Sequence, residues 1–423
     1  MPEVLLYRGS ELWADTKVNS PWYLLNLFRP QYLSNYNPNG VGVNKGLMLL
    51  LCLCFLLSPL ATAGVDWLPQ QHIKSQILKE QRAYRVSLPE NYEQFSRQYP
   101  LLLVLDGDHY GDLVANIAQF LAEAGDIPEH AIVALSSVNR LRDFTPTDSP
   151  DWHGDGGAEA FSNFINNELL SALKADYRIG GHKVIWGHSA AGLYVMYHLY
   201  TSPTTFDAYL VNDGSLDWDN GVVVDSLRQY LQKDTHPKQF LYFNNSYLLD
   251  DIPDEFRFVD HVKSVLKANS TQSLRWVHQN LSNESHATIP LAGSVHALRA
   301  LYEGYRIPEA IVYKGLDAMK SYVESLSGRI GAKQKVAEES LLDYGYHALF
   351  SEHIDIEHAI ETFKYAVSLY PESIASLEGL YLAYEETGNK TLASAALNQA
   401  IDVAKRNGSD ELQRLLDMKQ GTE

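Results

Sequence analysis

Short apolar segments alternate with amphipathic ones through the middle of the chain. The run YPLLLVLD at 99–106 is almost continuously apolar, which is typical of a buried strand. Strands are predicted at residues 99–106, 131–136, 183–186, 206–212, 239–243 and 274–278. Helical spacing occurs between them, at residues 113–124, 158–174 and 190–200. Buried strands that alternate with helices predict a doubly wound, mostly parallel sheet covered on both faces.

The pattern changes to uninterrupted helix after about residue 331. Ala359, Phe363 and Ala366 recur 34 residues later as Ala393, Leu397 and Ala400, which is typical of tetratricopeptide repeats. We therefore expect a small all-α helical-repeat domain over 331–423, with residues 409–418 as a capping helix. A lid, self-association and binding of a protein partner all remain open as roles for this tail.

The N-terminal region contains one strongly apolar run, LMLLLCLCFLL at 47–57. Lys45 precedes it, and small residues ending at Ala63 follow it, which is the layout of a secretory signal peptide at 47–63. A membrane anchor needs about 20 apolar residues, more than this run supplies. We expect cleavage after Ala63, a periplasmic or secreted protein without stable membrane insertion, and a catalytic domain over 64–330. We expect residues 1–46 to be a non-native or disordered extension, with a cytoplasmic segment before an uncleaved anchor as the alternative.

The composition and the absence of certain motifs exclude several classes of function. The 34 Lys and Arg against 52 Asp and Glu give a formal charge of −18, which argues against a nucleic-acid partner. Without residues 1–63 the balance is 30 − 49 = −19. Both cysteines lie within 47–63, so thiol catalysis is excluded for the exported chain. Dinucleotide, phosphate-loop and zinc-protease motifs do not occur, and we expect neither a cofactor nor a metal ion.

Ser189 is the candidate nucleophile. The segment WGHSAAG at 186–192 lies between a predicted strand and a predicted helix, where the nucleophile elbow of an α/β-hydrolase holds its serine above the sheet. Small residues are needed on both sides because the backbone passes close to itself there. Ala191 occupies the place of the last glycine in the usual G-x-S-x-G. The alternative is a serine that only caps the helix.

A serine needs a base, and in this fold an acid and then a histidine follow it in the chain. His286, in the polar loop NESHAT after the strand at 274–278, is the expected base. Asp250 and Asp251, in the loop after the strand at 239–243, are the expected acids. The oxyanion needs backbone N–H donors. We expect one from Ala190 and one from Gly107 or Asp108, in the turn after the first long strand.

These stretches resemble the putative-esterase family of α/β-hydrolases, which includes siderophore esterases, S-formylglutathione hydrolase and feruloyl or acetyl esterases. The resemblance covers about residues 80–305. It is carried by YPLLLVLDGD, RDFTP, GGAEAFSNFINNE, GHSAAGL, NDGSLDWD and ESHAT. It implies that Ser189 is the nucleophile, His286 the base and Trp218 a wall of the acyl pocket. His109 and His188 are assigned to the substrate pocket with Trp218.

The sequence therefore predicts an exported serine esterase that hydrolyses a small-molecule carboxylic ester through an acyl-enzyme. The alternative is a non-catalytic or weakly active hydrolase-fold scaffold whose helical-repeat tail binds a protein partner. The acyl and alcohol groups stay undetermined.

Overall fold

The structure is a computed structural model. It describes residues 64–90, 92–93, 95–149, 156–233, 236–247, 253, 258–269, 273–351 and 353–422. The predicted signal peptide and the extension before it lie outside the described residues.

The described strands form one eight-stranded sheet in the order β1-β2-β4-β3-β5-β6-β7-β8. Strands β1 and β2 pair antiparallel with their neighbours, and all pairs from β4 to β8 are parallel. The strands are β1 Gln71–Lys74, β2 Gln81–Ser87, β3 Tyr99–Val104, β4 Ala131–Leu135, β5 Ile179–His188, β6 Ala208–Asn212, β7 Gln239–Asn245 and β8 Leu274–Asn280. The predicted mostly parallel, doubly wound sheet is present.

Helices connect the parallel strands and cover both faces of the sheet. Those between β3 and β8 are α1 Gly107–Glu123, α2 Arg140–Phe144, α3 Ala158–Phe164, α4 Leu170–Asp176, α5 Ala190–Thr201, α6 Trp218–Leu231 and α7 Phe258–Ala268. After β8 follow α8 Ile289–Leu301, α9 Glu309–Val312 and α10 Leu316–Ile330. A π-helical turn, Ile165–Leu169, joins α3 to α4.

The core lies on both faces of the sheet. Leu101 and Leu103 of β3 pack into one apolar cluster, and Leu102 and Val104 pack into the other. All four are fully buried, which explains why the strand is apolar at every position rather than at alternate ones.

Helix α1 begins earlier than its apolar periodicity predicts. We expected a turn at 106–109 and a helix from 113, whereas the helix starts at Gly107. Asp108 and His109 are exposed in its first turn, so that turn carries no hydrophobic signal. A Cβ on Gly107 would collide with the backbone of Ala134 in β4, and this close approach requires glycine.

Five further helices follow in the described part of 331–422. They are α11 Glu338–Phe350, α12 Ile356–Leu369, α13 Ile374–Glu386, α14 Lys390–Asn407 and α15 Leu412–Thr422. Residues 64–423 form one compact unit. An apolar cluster that includes Met319 of α10, Leu341 of α11 and Ala366 of α12 joins this helical segment to the preceding helices.

The start of the helical segment lies near the amino ends of the parallel strands. A Cβ on Gly331 would lie 3.9 Å from Cβ of Lys238, the residue just before β7. A Cβ on Gly125, which follows the end of α1, would lie 3.6 Å from a carboxylate oxygen of Glu339. These contacts are at the end of the sheet away from Ser189. No helix in the described ranges is both long and apolar enough to cross a lipid bilayer.

Candidate active site

Ser189 occupies a strained turn between β5 and α5. Its backbone has φ 58° and ψ −122°, outside the regions that residues with a Cβ favour. A Cβ on Gly187 would lie 2.5 Å from the carbonyl oxygen of Ala191, so the chain closes tightly around the serine. Ala191, where the usual motif has glycine, is fully buried in the core. The turn has the backbone features of a nucleophile elbow.

The residues after β6 hold this turn. Strands β5 and β6 are parallel neighbours, and His188 pairs with Asn212. The Ser189 amide donates to the Asn212 carbonyl at 3.1 Å, and the Ser215 amide donates to the Ser189 carbonyl at 3.1 Å. The loop that begins with Asp213 is therefore fixed to the backbone of Ser189.

His286 lies in the loop between β8 and α8, as expected, and its partner is Asp213. Nδ1 of His286 is 2.8 Å from Oδ2 of Asp213. The other carboxylate oxygen, Oδ1, accepts from the amide of Ser246 at 3.2 Å. Burial raises the pKa of Asp213, but the hydrogen bonds from His286 and Ser246 outweigh it and hold this pKa below its usual value. Asp213 is therefore an ionised acceptor at neutral pH.

The carboxylate that bonds His286 follows β6, one strand earlier than the acids predicted from the sequence. Asp250 and Asp251, predicted after β7, lie outside the described residues, so their assignment stays a prediction. Strand β7 contributes support instead, because the Asn244 side-chain oxygen accepts from the Asp213 amide at 2.8 Å. The available signal was Asp213 itself, a carboxylate directly after the strand AYLVN, of which the first four residues are apolar.

His188, which the sequence assigns to the substrate pocket, is almost fully buried, and that assignment stays a prediction. Its exposed fraction is 3%. Its Nδ1 is 2.8 Å from the Tyr110 hydroxyl, and its Nε2 is 2.9 Å from the His286 carbonyl oxygen. Both ring nitrogens are thus engaged within the protein. Burial, with the nearby His286 as a smaller cause, lowers the pKa of His188 to about 4.

The expected oxyanion donors lie at two helix starts. Ala190 opens α5, and Gly107 and Asp108 open α1. The first amides of a helix have no acceptor within it, so they are available to a ligand. The α1 start is held by Asp106, at φ 50°, whose carboxylate accepts from the Ser137 hydroxyl and from Arg140.

Trp218 and His109 differ in how they are held. The Trp218 indole is partly buried and donates to Thr147 Oγ1 at 3.1 Å. Three residues with left-handed backbone, Asp219, Asn220 and Gly221, follow it. The His109 ring is exposed and lies edge-on to Tyr110, with 4.4 Å between the ring centroids. Across the described ranges, no three His, Cys, Asp or Glu side chains are grouped so as to hold a metal ion.

Comparison with known proteins agrees with this architecture. Residues 75–221 match the model of the esterase family described as "Putative esterase". A solved IroE-like serine hydrolase from Shewanella oneidensis is 26% identical with a TM-score of 0.63, covering 70% of this chain and 98% of that one. An uncharacterised protein from Capnocytophaga ochracea is 16% identical with a TM-score of 0.57, covering 83% and 100%; it shares the fold.

Curated relatives match over a shorter stretch. The ferri-bacillibactin esterase of Bacillus subtilis is 35% identical over 99 residues, which is 21% of this chain and 34% of that protein. The siderophore enterobactin esterase of Emericella nidulans is 33% identical over 89 residues, 20% and 29% of the two chains. The match therefore spans about a third of these relatives. The strand order, the Ser189 turn and these likenesses together indicate an α/β-hydrolase fold that is similar to that of known esterases.

Proposed function

We propose that this protein is a serine esterase that hydrolyses a carboxylic ester with Ser189 as nucleophile, His286 as base and Asp213 as acid. The observation that carries the proposal is the Asp213 loop. One loop is hydrogen-bonded to the backbone of Ser189 and also supplies the carboxylate that bonds His286. A serine that merely caps a helix needs neither the strained φ nor a carboxylate–histidine pair beside it.

The first half of the reaction transfers the acyl group to the serine. His286 takes the hydroxyl proton as Ser189 Oγ attacks the ester carbonyl, and the tetrahedral oxyanion accepts from the amides of Ala190 and of Gly107 or Asp108. The C–O bond to the alcohol then breaks, and His286 returns the proton to that oxygen. Water next attacks the acyl-enzyme by the same route, which releases the acid and restores Ser189.

Asp213 keeps His286 in the required state. Its Oδ2 accepts from Nδ1–H, which leaves Nε2 unprotonated to act as the base. When His286 becomes an imidazolium, the ionised carboxylate stabilises the charge. Hydrogen bonds from Ser246 hold the carboxylate in its ionised form.

The substrate we propose is an ester with aromatic groups, in the class of siderophore lactones and esters. The names of the curated relatives support this class, and so do exposed apolar side chains near the site. Val138 and Tyr247 are exposed. Val138 follows Ser137, whose hydroxyl bonds Asp106 at the start of α1. The amide of Tyr247 donates to the Glu284 carbonyl in the His286 loop. Leu291, in the first turn of α8, is also exposed. Such side chains provide apolar contact area for aromatic rings.

A fluorophosphonate probe and an ester panel test the proposal. The wild type should be labelled and Ser189→Ala should not, and hydrolysis of p-nitrophenyl esters should disappear with the label. A tris-catecholate lactone in the same panel tests the substrate class by its kcat/KM relative to the simple esters. A folded wild type that neither reacts with the probe nor hydrolyses any ester would refute the proposal.

Export and the role of the helical segment are further parts of the proposal. Cleavage after Ala63 is checked by sequencing the N-terminus of the mature protein. A pull-down with the full-length chain tests whether the tetratricopeptide-like segment binds a protein partner. No described contact favours a non-catalytic scaffold over the esterase.

A further inference from the structure

Tyr110, which is partly buried, and His188, which is buried, form a hydrogen-bonded chain that ends on the backbone of His286. The Tyr110 hydroxyl is 2.8 Å from His188 Nδ1, and His188 Nε2 is 2.9 Å from the His286 carbonyl oxygen. The two imidazole rings also lie against each other, with centroids 4.4 Å apart. The reaction proposed above gives neither Tyr110 nor His188 a part.

The direction of each hydrogen bond follows from the chemistry of the atoms. A carbonyl oxygen only accepts, so His188 Nε2 must carry the hydrogen. In the neutral ring, Nδ1 is then unprotonated, and the Tyr110 hydroxyl must donate to it. Burial favours this neutral form. The tyrosine therefore selects the tautomer of His188 that can hold the His286 carbonyl.

We propose that Tyr110 and His188 are positioning residues that fix the main chain at His286 and so place its imidazole for proton transfer. This inference rests on the proposed function, since it concerns the base of that reaction. The His286 side chain is 44% exposed, and Asp213 holds only its ring. The bond from His188 adds an anchor on the backbone.

Loss of the hydrogen bond from His188 to the His286 carbonyl should lower kcat more than it changes KM. If His188 adopts the other tautomer, its Nε2 lone pair faces the His286 carbonyl oxygen, and the two repel. The loop then moves, and a misplacement of about 1 Å at a catalytic group costs up to about 100-fold in rate. Substrate contacts that do not involve His286 keep KM nearly unchanged.

Four variants of the full-length protein test the proposal. Tyr110→Phe removes the tautomer-selecting hydroxyl, and His188→Leu removes the donor to His286. His188→Gln places an amide N–H near the position of Nε2 and should restore the bond. Tyr302→Phe is the matched control, because its hydroxyl also bonds buried histidines, at 2.7 Å from His130 Nε2 and 3.1 Å from His182 Nδ1.

We expect kcat to fall about tenfold in Tyr110→Phe and 30- to 100-fold in His188→Leu, with KM within twofold. His188→Gln should recover at least a third of the wild-type kcat, and Tyr302→Phe should keep all of it while lowering the unfolding midpoint. The ¹⁵N shifts of the His188 ring should show a protonated Nε2 and an unprotonated Nδ1 in the wild type.

The outcomes separate the two proposals. If wild type neither hydrolyses esters nor reacts with the fluorophosphonate, the proposed function fails and the positioning role fails with it. An active wild type with full kcat in Tyr110→Phe, or equal losses in His188→Gln and His188→Leu, overturns the positioning role alone. Should His188→Leu not fold, Tyr110→Phe decides, because phenylalanine preserves the shape of the side chain.

Discussion

The imidazole of His286 is paired with the carboxylate of Asp213 across 2.8 Å, and Asp213 belongs to the loop after β6 rather than after β7. Because β6 is the direct neighbour of β5, this loop is also bonded to the backbone of Ser189. The carboxylate that orients the histidine is therefore held by the same loop that holds the serine.

Replacing Asp213 by asparagine should lower kcat by about 10³- to 10⁴-fold, since an amide favours the wrong tautomer of His286. Steady-state hydrolysis of a p-nitrophenyl ester measures the effect. Asp250→Asn and Asp251→Asn serve as controls and should each change kcat by less than threefold. If kcat fell strongly in either control and stayed near the wild-type value in Asp213→Asn, the acid would instead be the aspartate in the loop after β7.

Gly187→Ala should abolish fluorophosphonate labelling, because its Cβ would press on the Ala191 carbonyl and displace Ser189. The matched control is Gly328→Ala in α10, where a Cβ would meet no atom within 4 Å. That change should leave labelling intact and stabilise the protein by up to about 1 kcal/mol through helix propensity. Labelling of Gly187→Ala at the wild-type rate would contradict the tight turn.

Acid should destabilise the fold between about pH 6.5 and pH 4. Burial lowers the pKa of His130 to about 3 and that of His182 to about 4, below the ordinary 6.5. In this window the unfolded chain binds more protons than the folded one, so stability is full above pH 6.5 and falls as pH drops. His182 alone accounts for up to about 3 kcal/mol, at about 1.4 kcal/mol per pKa unit.

Urea unfolding at pH 7.0, 5.5 and 4.5 measures this loss of stability. His182→Asn keeps a polar atom near Nδ1 for the Tyr302 hydroxyl and removes the titration. Its unfolding free energy should fall less steeply with acid than that of the wild type. Identical slopes in the two proteins would show that His182 does not contribute.

Gly379→Ala in α13 should lower the unfolding free energy by about 1–3 kcal/mol through overpacking, because its Cβ would collide with the Phe363 ring of α12. Ester hydrolysis at 20 °C should be unchanged, since both residues belong to the helical segment. Calorimetry and kcat measure the two effects. Adding Phe363→Leu should relieve the collision; a double variant less stable than both single variants would argue against this contact.

The parallel part of the sheet could be predicted from the sequence because burial on both faces makes strands such as β3 and β4 continuous apolar runs. Strands β3, β4, β7 and β8 begin where the pattern places them, whereas β5 begins earlier than predicted and β1 and β2 were not predicted. The start of α1 could not be predicted this way. Asp108 and His109 face solvent, and the need for Gly107 arises from a contact with β4, which is distant in the chain.

Within the candidate site, local sequence determines the Ser189 turn, and the loop after β8 suggests His286. The carboxylate partner of His286 depends on which strands are neighbours, since the loop after β6 that carries Asp213 lies between those after β5 and β7. The environment of His188 could not be predicted for a related reason. Its position beside Ser189 in the chain suggests a pocket residue, whereas its burial and its bond to His286 depend on the folded loop.

Ser189 follows the carboxyl end of β5, whereas Gly331 and Glu339, at the start of the helical segment, lie beside Lys238 and Gly125 at the opposite end of the sheet. The start of the helical segment and the candidate nucleophile are thus on different sides of the sheet. We therefore expect that a bulky object joined to the C-terminal end does not obstruct the proposed ester hydrolysis. Full-length protein tethered to a bead through that end should hydrolyse esters as fast as free protein, which makes the chain suited to immobilisation.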